Sequence, residues 1–168
     1  MPNNSHIRIA PDFDALYPDA DPQATEAAMN LVFTADLLVK RIGRVLQVFG
    51  LSPASGLVLS KLADSPTPLA PNEIASQLII TRATVTGLVD SLEQRGYVRR
   101  VAHPSDRRML IVEITPEGKK VAERFRPVVR RQEKIWFDAL SATEQQRLVK
   151  SLQRLQTALL DSDAETEV

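Results

Sequence analysis

Cysteine is absent from this chain of 168 residues, which removes disulfides, thiolate nucleophiles and cysteine-based metal or redox chemistry. The two histidines, His6 and His103, lie far apart in the chain. No HExxH pattern, glycine-rich phosphate loop or GxSxG elbow accompanies them, so the commonest catalytic motifs have nothing to attach to. No apolar run approaches the length that spans a bilayer, and the N-terminus is polar and acidic, with neither a basic nor an apolar leader region. The expectation is a soluble, cytoplasmic protein that is not an enzyme and uses no cofactor, no metal and no membrane.

Net charge is also lacking, with 21 basic and 21 acidic residues, but the balance conceals an uneven distribution. Asp12, Asp14, Asp19, Asp21 and Glu26 face only Arg8 near the start, and Asp161, Asp163, Glu165 and Glu167 end the chain without a cation. Between Thr81 and Arg108 the balance reverses: Arg82, Arg95, Arg99, Arg100, Arg107 and Arg108 outnumber Asp90, Glu93 and Asp106. All the cations of this middle stretch are arginine, whose planar fork donates two parallel hydrogen bonds and suits phosphates and base edges.

What is present is a set of helical periodicities. In TRATVTGLVDSLEQRG, residues 81–96, Val85, Leu88, Val89 and Leu92 recur at i, i+3, i+4 and i+7 and form one apolar stripe. The first turns otherwise carry Thr81, Arg82, Ala83, Thr84, Thr86 and Gly87, a face of hydroxyls, one guanidinium and little bulk, able to enter a groove. Thr81 is placed to cap the Ala83 or Thr84 amide, and Gly96 to end the helix in the left-handed conformation. A short helix from Ser52-Pro53 to about Ala63, with Leu57, Val58 and Leu62 inward, and a brief one over Glu73–Leu78 precede it. The brief helix has Ala70 where a capping side chain is usual, a deficit of about 1 kcal/mol. Two short strands, Tyr97–Val101 and Met109–Ile114, follow around the polar loop AHPSDRR. Three helices and a hairpin in this order make a winged helix-turn-helix.

Long helices flank that unit. Leu31, Ala35, Leu38, Ile42, Val45 and Phe49 keep a 4,3,4,3,4 spacing after the Asp21-Pro22 start. Val121, Phe125, Val128, Gln132 and Ile135 continue it after Thr115-Pro116, and Leu148, Leu152, Leu155 and Leu159 after the capping box Ser141-Ala-Thr-Glu144. A small central domain has no surface to cover all these seams, so a second copy is expected to do so. Trp136, on the penultimate helix, is expected to pack within such a seam. The fold class is mainly α with a small β-hairpin wing: an irregular acidic arm over 1–21, dimerisation helices over 22–50 and 116–160, a winged helix-turn-helix over 51–115, and an acidic tail over 161–168.

Over roughly residues 25–160 the chain resembles the MarR family of bacterial transcription regulators, most specifically in TRATVTGLVDSLEQRGYVRR...HPSDRRMLIVEITPEG. The long helix ending in LExxG, the wing containing DRR and the strand leading into TPEG carry the resemblance. It implies a homodimeric repressor that grips successive major grooves of double-stranded DNA at a pseudo-palindromic operator. Arg82, Thr84 and Thr86 would face base edges, Thr81 and Thr84 would meet phosphates, and Ala83 and Gly87 would allow close approach. Arg107 and Arg108 would serve at the wing, with Arg108 in the minor groove and Asp106 orienting it. A small aromatic or phenolic effector would release the DNA by altering the dimer, and the lack of cysteine excludes a thiol-oxidation sensor. The competing expectation is a dimeric winged-helix interaction module that does not bind DNA, because the basic surface is modest for a nucleic-acid binder.

Overall fold

A computed structural model describes residues 7–106 and 108–166, the side chains only as far as 162. The order of elements is α1 (Phe13–Leu16), α2 (Pro22–Gln47), α3 (Pro53–Asp64), α4 (Pro71–Leu78), α5 (Arg82–Gln94), β1 (Val98–Ala102), β2 (Leu110–Ile114), α6 (Pro116–Phe137) and α7 (Ala142–Thr166). Two compact units emerge, the first reaching to Arg126 and the second starting at Pro127. Pro127 lies inside α6, where its missing N–H removes one rung of the helix ladder.

The first unit holds the core. Leu46 at the end of α2, Val58 and Leu59 of α3, Ile74 of α4, Val85, Val89 and Leu92 of α5, Val98 and Val112 of the hairpin and Phe125 of α6 are all at most 2% exposed. Burying one such side chain contributes about 1.5–3 kcal/mol, so the apolar stripe of α5 alone ties that helix firmly to α3 and α4. Leu57, expected to face inward, is 53% exposed, and Leu59 takes the core position. The reason is periodicity: Ser55, Val58, Leu59 and Leu62 stand at i, i+3, i+4 and i+7 and form the buried stripe of α3, while Leu57 lies off it.

The starts of α2, α3 and α4 have local causes. The Asp21 carboxylate accepts from the Gln23 and Ala24 amides at 2.8 and 3.1 Å, and Ser52 Oγ accepts from the Ser55 amide at 3.0 Å. Ala70 has no acceptor for the first turn of α4, yet the Glu73 carboxylate accepts the Ala70 N–H at 2.6 Å, supplying half of a capping box. Helix α2 stops at Gln47, three residues short of the expected Gly50, because residues 48–50 form a turn with Gly50 at φ +68°. The arm expected to be irregular contains the single turn α1, and its extended part is held on α2: Asn30 Oδ1 accepts from the Ile7 amide at 3.3 Å while Asn30 Nδ2 donates to Ile7 O at 2.9 Å. The acidic stretch from Asp161 does not leave the last helix, since α7 continues to Thr166.

The hairpin is antiparallel, with Val98 opposite Ile114 and Ala102 opposite Leu110. A third piece of chain joins it. Leu69, in the proline-rich connector before α4, exchanges both backbone hydrogen bonds with Val112 at 3.1 and 2.8 Å. The connector thereby fixes α4 to the outer edge of the wing.

In the second unit, Gln145 Nε2 donates to Phe137 O at 2.9 Å and Leu140 O at 3.0 Å, closing the turn between α6 and α7. Ser141 donates its amide and hydroxyl to Glu144, and these bonds hold the Glu144 carboxyl below its ordinary value. Trp136 is half-buried, whereas Ile135, Val149, Leu155, Leu159 and Leu160 are exposed.

Candidate nucleic-acid interface

The turn between α4 and α5 sets how α5 is presented. Ile79 ends α4 at φ +53° and ψ +50°, a left-handed conformation that is unusual for a β-branched residue, and it is 65% exposed. The neighbouring Ile80 amide donates to Ala75 O at 3.0 Å, closing the helix end. Replacing Ile79 with glycine removes the steric penalty and forfeits little burial. Ile79→Gly is expected to raise stability by about 1 kcal/mol, or roughly 2–4 °C in Tm for a chain of this size, with an unchanged or lower Tm as the contrary result.

At the start of α5 Thr81 accepts from the Thr84 amide at 3.1 Å, and the two threonine hydroxyls lie 2.8 Å apart. Thr86 Oγ1 donates back to Arg82 O at 3.0 Å, which leaves its lone pairs facing outward as acceptors. Thr81, Arg82, Ala83, Thr84, Thr86 and Gly87 are all exposed. A Cβ built on Gly87 meets nothing within 4 Å, so this face of the helix is open.

The six arginines expected to make the region basic do not all remain available. Arg100, on β1, reaches across to α5 and donates through Nη2 to Asp90 Oδ1 at 2.6 Å and through Nη1 to Glu93 Oε2 at 2.5 Å. The other oxygen of Glu93 accepts the Arg100 backbone amide at 2.8 Å. Burial opposes the charge on this guanidinium, but its hydrogen bonds to Asp90 and Glu93 prevail and raise its pKa. Arg99 pairs with Glu113 across the hairpin at 2.7 Å. Arg95 lies over the turn between α2 and α3, where a Cβ built on Gly50 would come within 2.5 Å of Arg95 Nη1.

Arg82 and Arg108 are exposed, and neither has an acidic partner among the described residues. At the wing tip Asp106 Oδ1 accepts from the Arg108 backbone amide at 3.0 Å, and Asp106 O from the Met109 amide at 3.0 Å. Asp106 therefore shapes the turn through the main chain at Arg108. Arg107 lies outside the described residues. His103 Nδ1 is 3.0 Å from Ser105 Oγ within the same turn. It also borders a cleft of about 450 Å³ between the first turn of α4 and the loop end of the wing, lined by Pro68, Glu73, Met109 and Ile111 among others. Among the described residues no group of three or more His, Cys, Asp or Glu side chains could hold a metal ion, and no helix is long and apolar enough to cross a membrane.

The TPEG segment that the sequence placed beside the wing is structural. Thr115 Oγ1 lies 2.7 Å from Gly96 O and 3.1 Å from Tyr97 O, and it accepts from the Gly118 amide at 3.0 Å. It thus joins the end of α5 to the start of α6. The ion pairs of Arg100 were missed by sequence reasoning, although two carboxylates in the last turns of a helix, Asp90 and Glu93, and an arginine just after a tight turn are a detectable signal.

Comparison with known proteins follows the same geometry. The model of the MarR family matches residues 49–109, from the turn after α2 to the wing. The HTH-type transcriptional repressor YetL of Bacillus subtilis (strain 168) is 33% identical over 132 residues, covering 76% of this chain and 75% of YetL. Sco3205, a MarR family transcriptional regulator from Streptomyces coelicolor solved in complex with DNA, is 29% identical with a TM-score of 0.79, covering 83% of this chain and 89% of that one. The S. aureus MepR structure, a DNA complex at 22% identity, shares the fold with a TM-score of 0.74 over 78% of this chain and 96% of its own. Since the likeness to YetL extends over three quarters of each chain and the fold is that of these regulators, the chain belongs to the MarR family of transcriptional regulators.

Proposed function

We propose that the protein is a cytoplasmic repressor that binds double-stranded DNA as a homodimer, with α5 in the major groove and the wing in the adjacent minor groove. The observation that carries this reading is the exposed, small-residue face of α5, on which Arg82 has no acidic partner among the described residues, together with an exposed Arg108 at the wing tip. Arg82 is the base-reading group, Thr81 and Thr84 bond phosphates, and Ala83 and Gly87 let the backbone come close. Met29, Val32, Phe33, Leu37 and Val39 on α2, and Val149, Leu155, Leu159 and Leu160 on α7, are each more than 40% exposed, far more apolar surface than isolated residues account for. A second copy covers these faces, and the dimer sets its reading helices one DNA turn apart, about 34–36 Å. A small aromatic or phenolic effector that prefers a differently spaced dimer releases the DNA, because a ligand shifts an equilibrium only by its differential affinity.

Titration of DNA from the region adjoining its own gene at 50 and 200 mM salt tests the reading. With six to ten phosphate contacts, affinity is expected to fall by roughly 10³–10⁵ across that range. Salt-independent binding, or none, would favour the interaction module, and a monomer in sedimentation at micromolar concentration would refute the dimer.

A further inference from the structure

We propose that Arg100 is a positioning residue for DNA recognition, holding the wing at a set angle to α5 while contributing no phosphate contact of its own. The inference rests on the DNA-binding reading above and deepens it. Its basis is geometric. One guanidinium joins two carboxylates from successive turns of α5, Asp90 and Glu93, and Glu93 simultaneously takes the Arg100 main-chain amide. Arg100 Nη2 also lies 3.5 Å from Thr86 O, one turn nearer the reading face. Side chain and main chain of one β1 residue are therefore clamped to three levels of the same helix, at Thr86, Asp90 and Glu93. Only 23% of the side chain is exposed, in contrast to 63% for the neighbouring Arg99.

The consequence concerns how two contacts combine. Operator binding requires Arg82 and Arg108 to meet their grooves together, and the cost of aligning them falls if wing and helix are already held in register. Binding to unrelated DNA depends on the number of phosphates neutralised and tolerates a looser arrangement. Arg100, whose donors are directed at carboxylates, serves the first kind of binding and not the second.

The double variant R100Q/D90N removes the clamp without changing net charge, which keeps long-range electrostatics constant. Operator affinity is expected to fall about tenfold at a temperature well below the melting transition, with affinity for unrelated DNA and the salt slope unchanged. If instead Arg100 contacts phosphate, affinity for both DNAs falls and the slope diminishes by about 0.9 per lost contact, which overturns the proposal. Unchanged operator affinity overturns it as well. Amide hydrogen exchange on the DNA-free protein separates this inference from the DNA-binding reading: hairpin peptides over 98–114 should exchange faster in R100Q/D90N while α3 peptides keep their rate. A hairpin with wild-type protection refutes the clamp whether or not the protein binds DNA. R100K, which retains the charge but loses the fork, is expected to fall between wild type and the double variant.

Discussion

Gly118→Ala destabilises the first unit by about 3 kcal/mol, lowering the urea midpoint by about 1.5 M for a slope near 2 kcal/mol/M. The cause is a lack of space, not of backbone freedom. A Cβ on Gly118 would lie 2.0 Å from Tyr97 O and 2.9 Å from Ile114 Cγ1, and the first of these is main chain that also accepts the Thr115 amide at 3.0 Å. Relief requires α6 to move off the hairpin, breaking the Thr115 bonds that join Gly96, Tyr97 and Gly118. Denaturation at fixed protein concentration measures the effect, because the proposed dimer would also contribute to apparent stability. A midpoint within 0.3 M of wild type would contradict this account of the helix start. Gly87 serves as the internal control. Its Cβ position is empty and it lies within α5, so Gly87→Ala is expected to be neutral or stabilising by up to about 1 kcal/mol.

Arg82→Ala has the largest expected effect on recognition. A bidentate arginine contact to guanine contributes about 1–3 kcal/mol of discrimination, and a dimer uses the residue twice, so operator affinity is expected to fall by roughly 2–6 kcal/mol. The same variant relaxes preference at one base position in each half-site, which binding to a panel of single-base operator variants reads directly. Arg108→Ala differs in kind. Placed at the wing, it weakens all sequences more evenly and reduces the dependence on salt. Both side chains are exposed and make no ion pair among the described residues, so a normal melting curve should accompany each loss. If Arg82→Ala binds its operator as wild type does, α5 does not read bases through that residue.

Much of the architecture was legible because it rests on local rules. The stripe Val85, Val89 and Leu92 follows from helical spacing, and these residues are buried as that spacing requires. Thr81 caps α5 and Gly96, at φ +72°, ends it, both for reasons contained in a few adjacent residues. The candidate site was legible to the same degree. That Arg82 and the threonines share the outer face follows from where the apolar stripe lies, since a helix that buries one side presents the other.

Local rules failed wherever a distant segment decided. Leu57 is not such a case: Ser55, Val58, Leu59 and Leu62 step at i, i+3, i+4 and i+7, so helical spacing itself selects Leu59 and leaves Leu57 off the stripe. Leu69 joins the hairpin from 43 residues away in sequence.

The sequence by itself determined the order of elements, the family and the face of α5 that is open, because periodicity, capping and turn chemistry act over a few residues. Tertiary structure alone decided how the arginines are used. Six of them count equally as charge in the sequence, yet folding directs Arg100 to Asp90 and Glu93 and Arg99 to Glu113, while Arg82 and Arg108 remain exposed. The physical reason is distance: an ion pair depends on separation in space, and only the turn at Gly96 brings β1 back along the helix it follows.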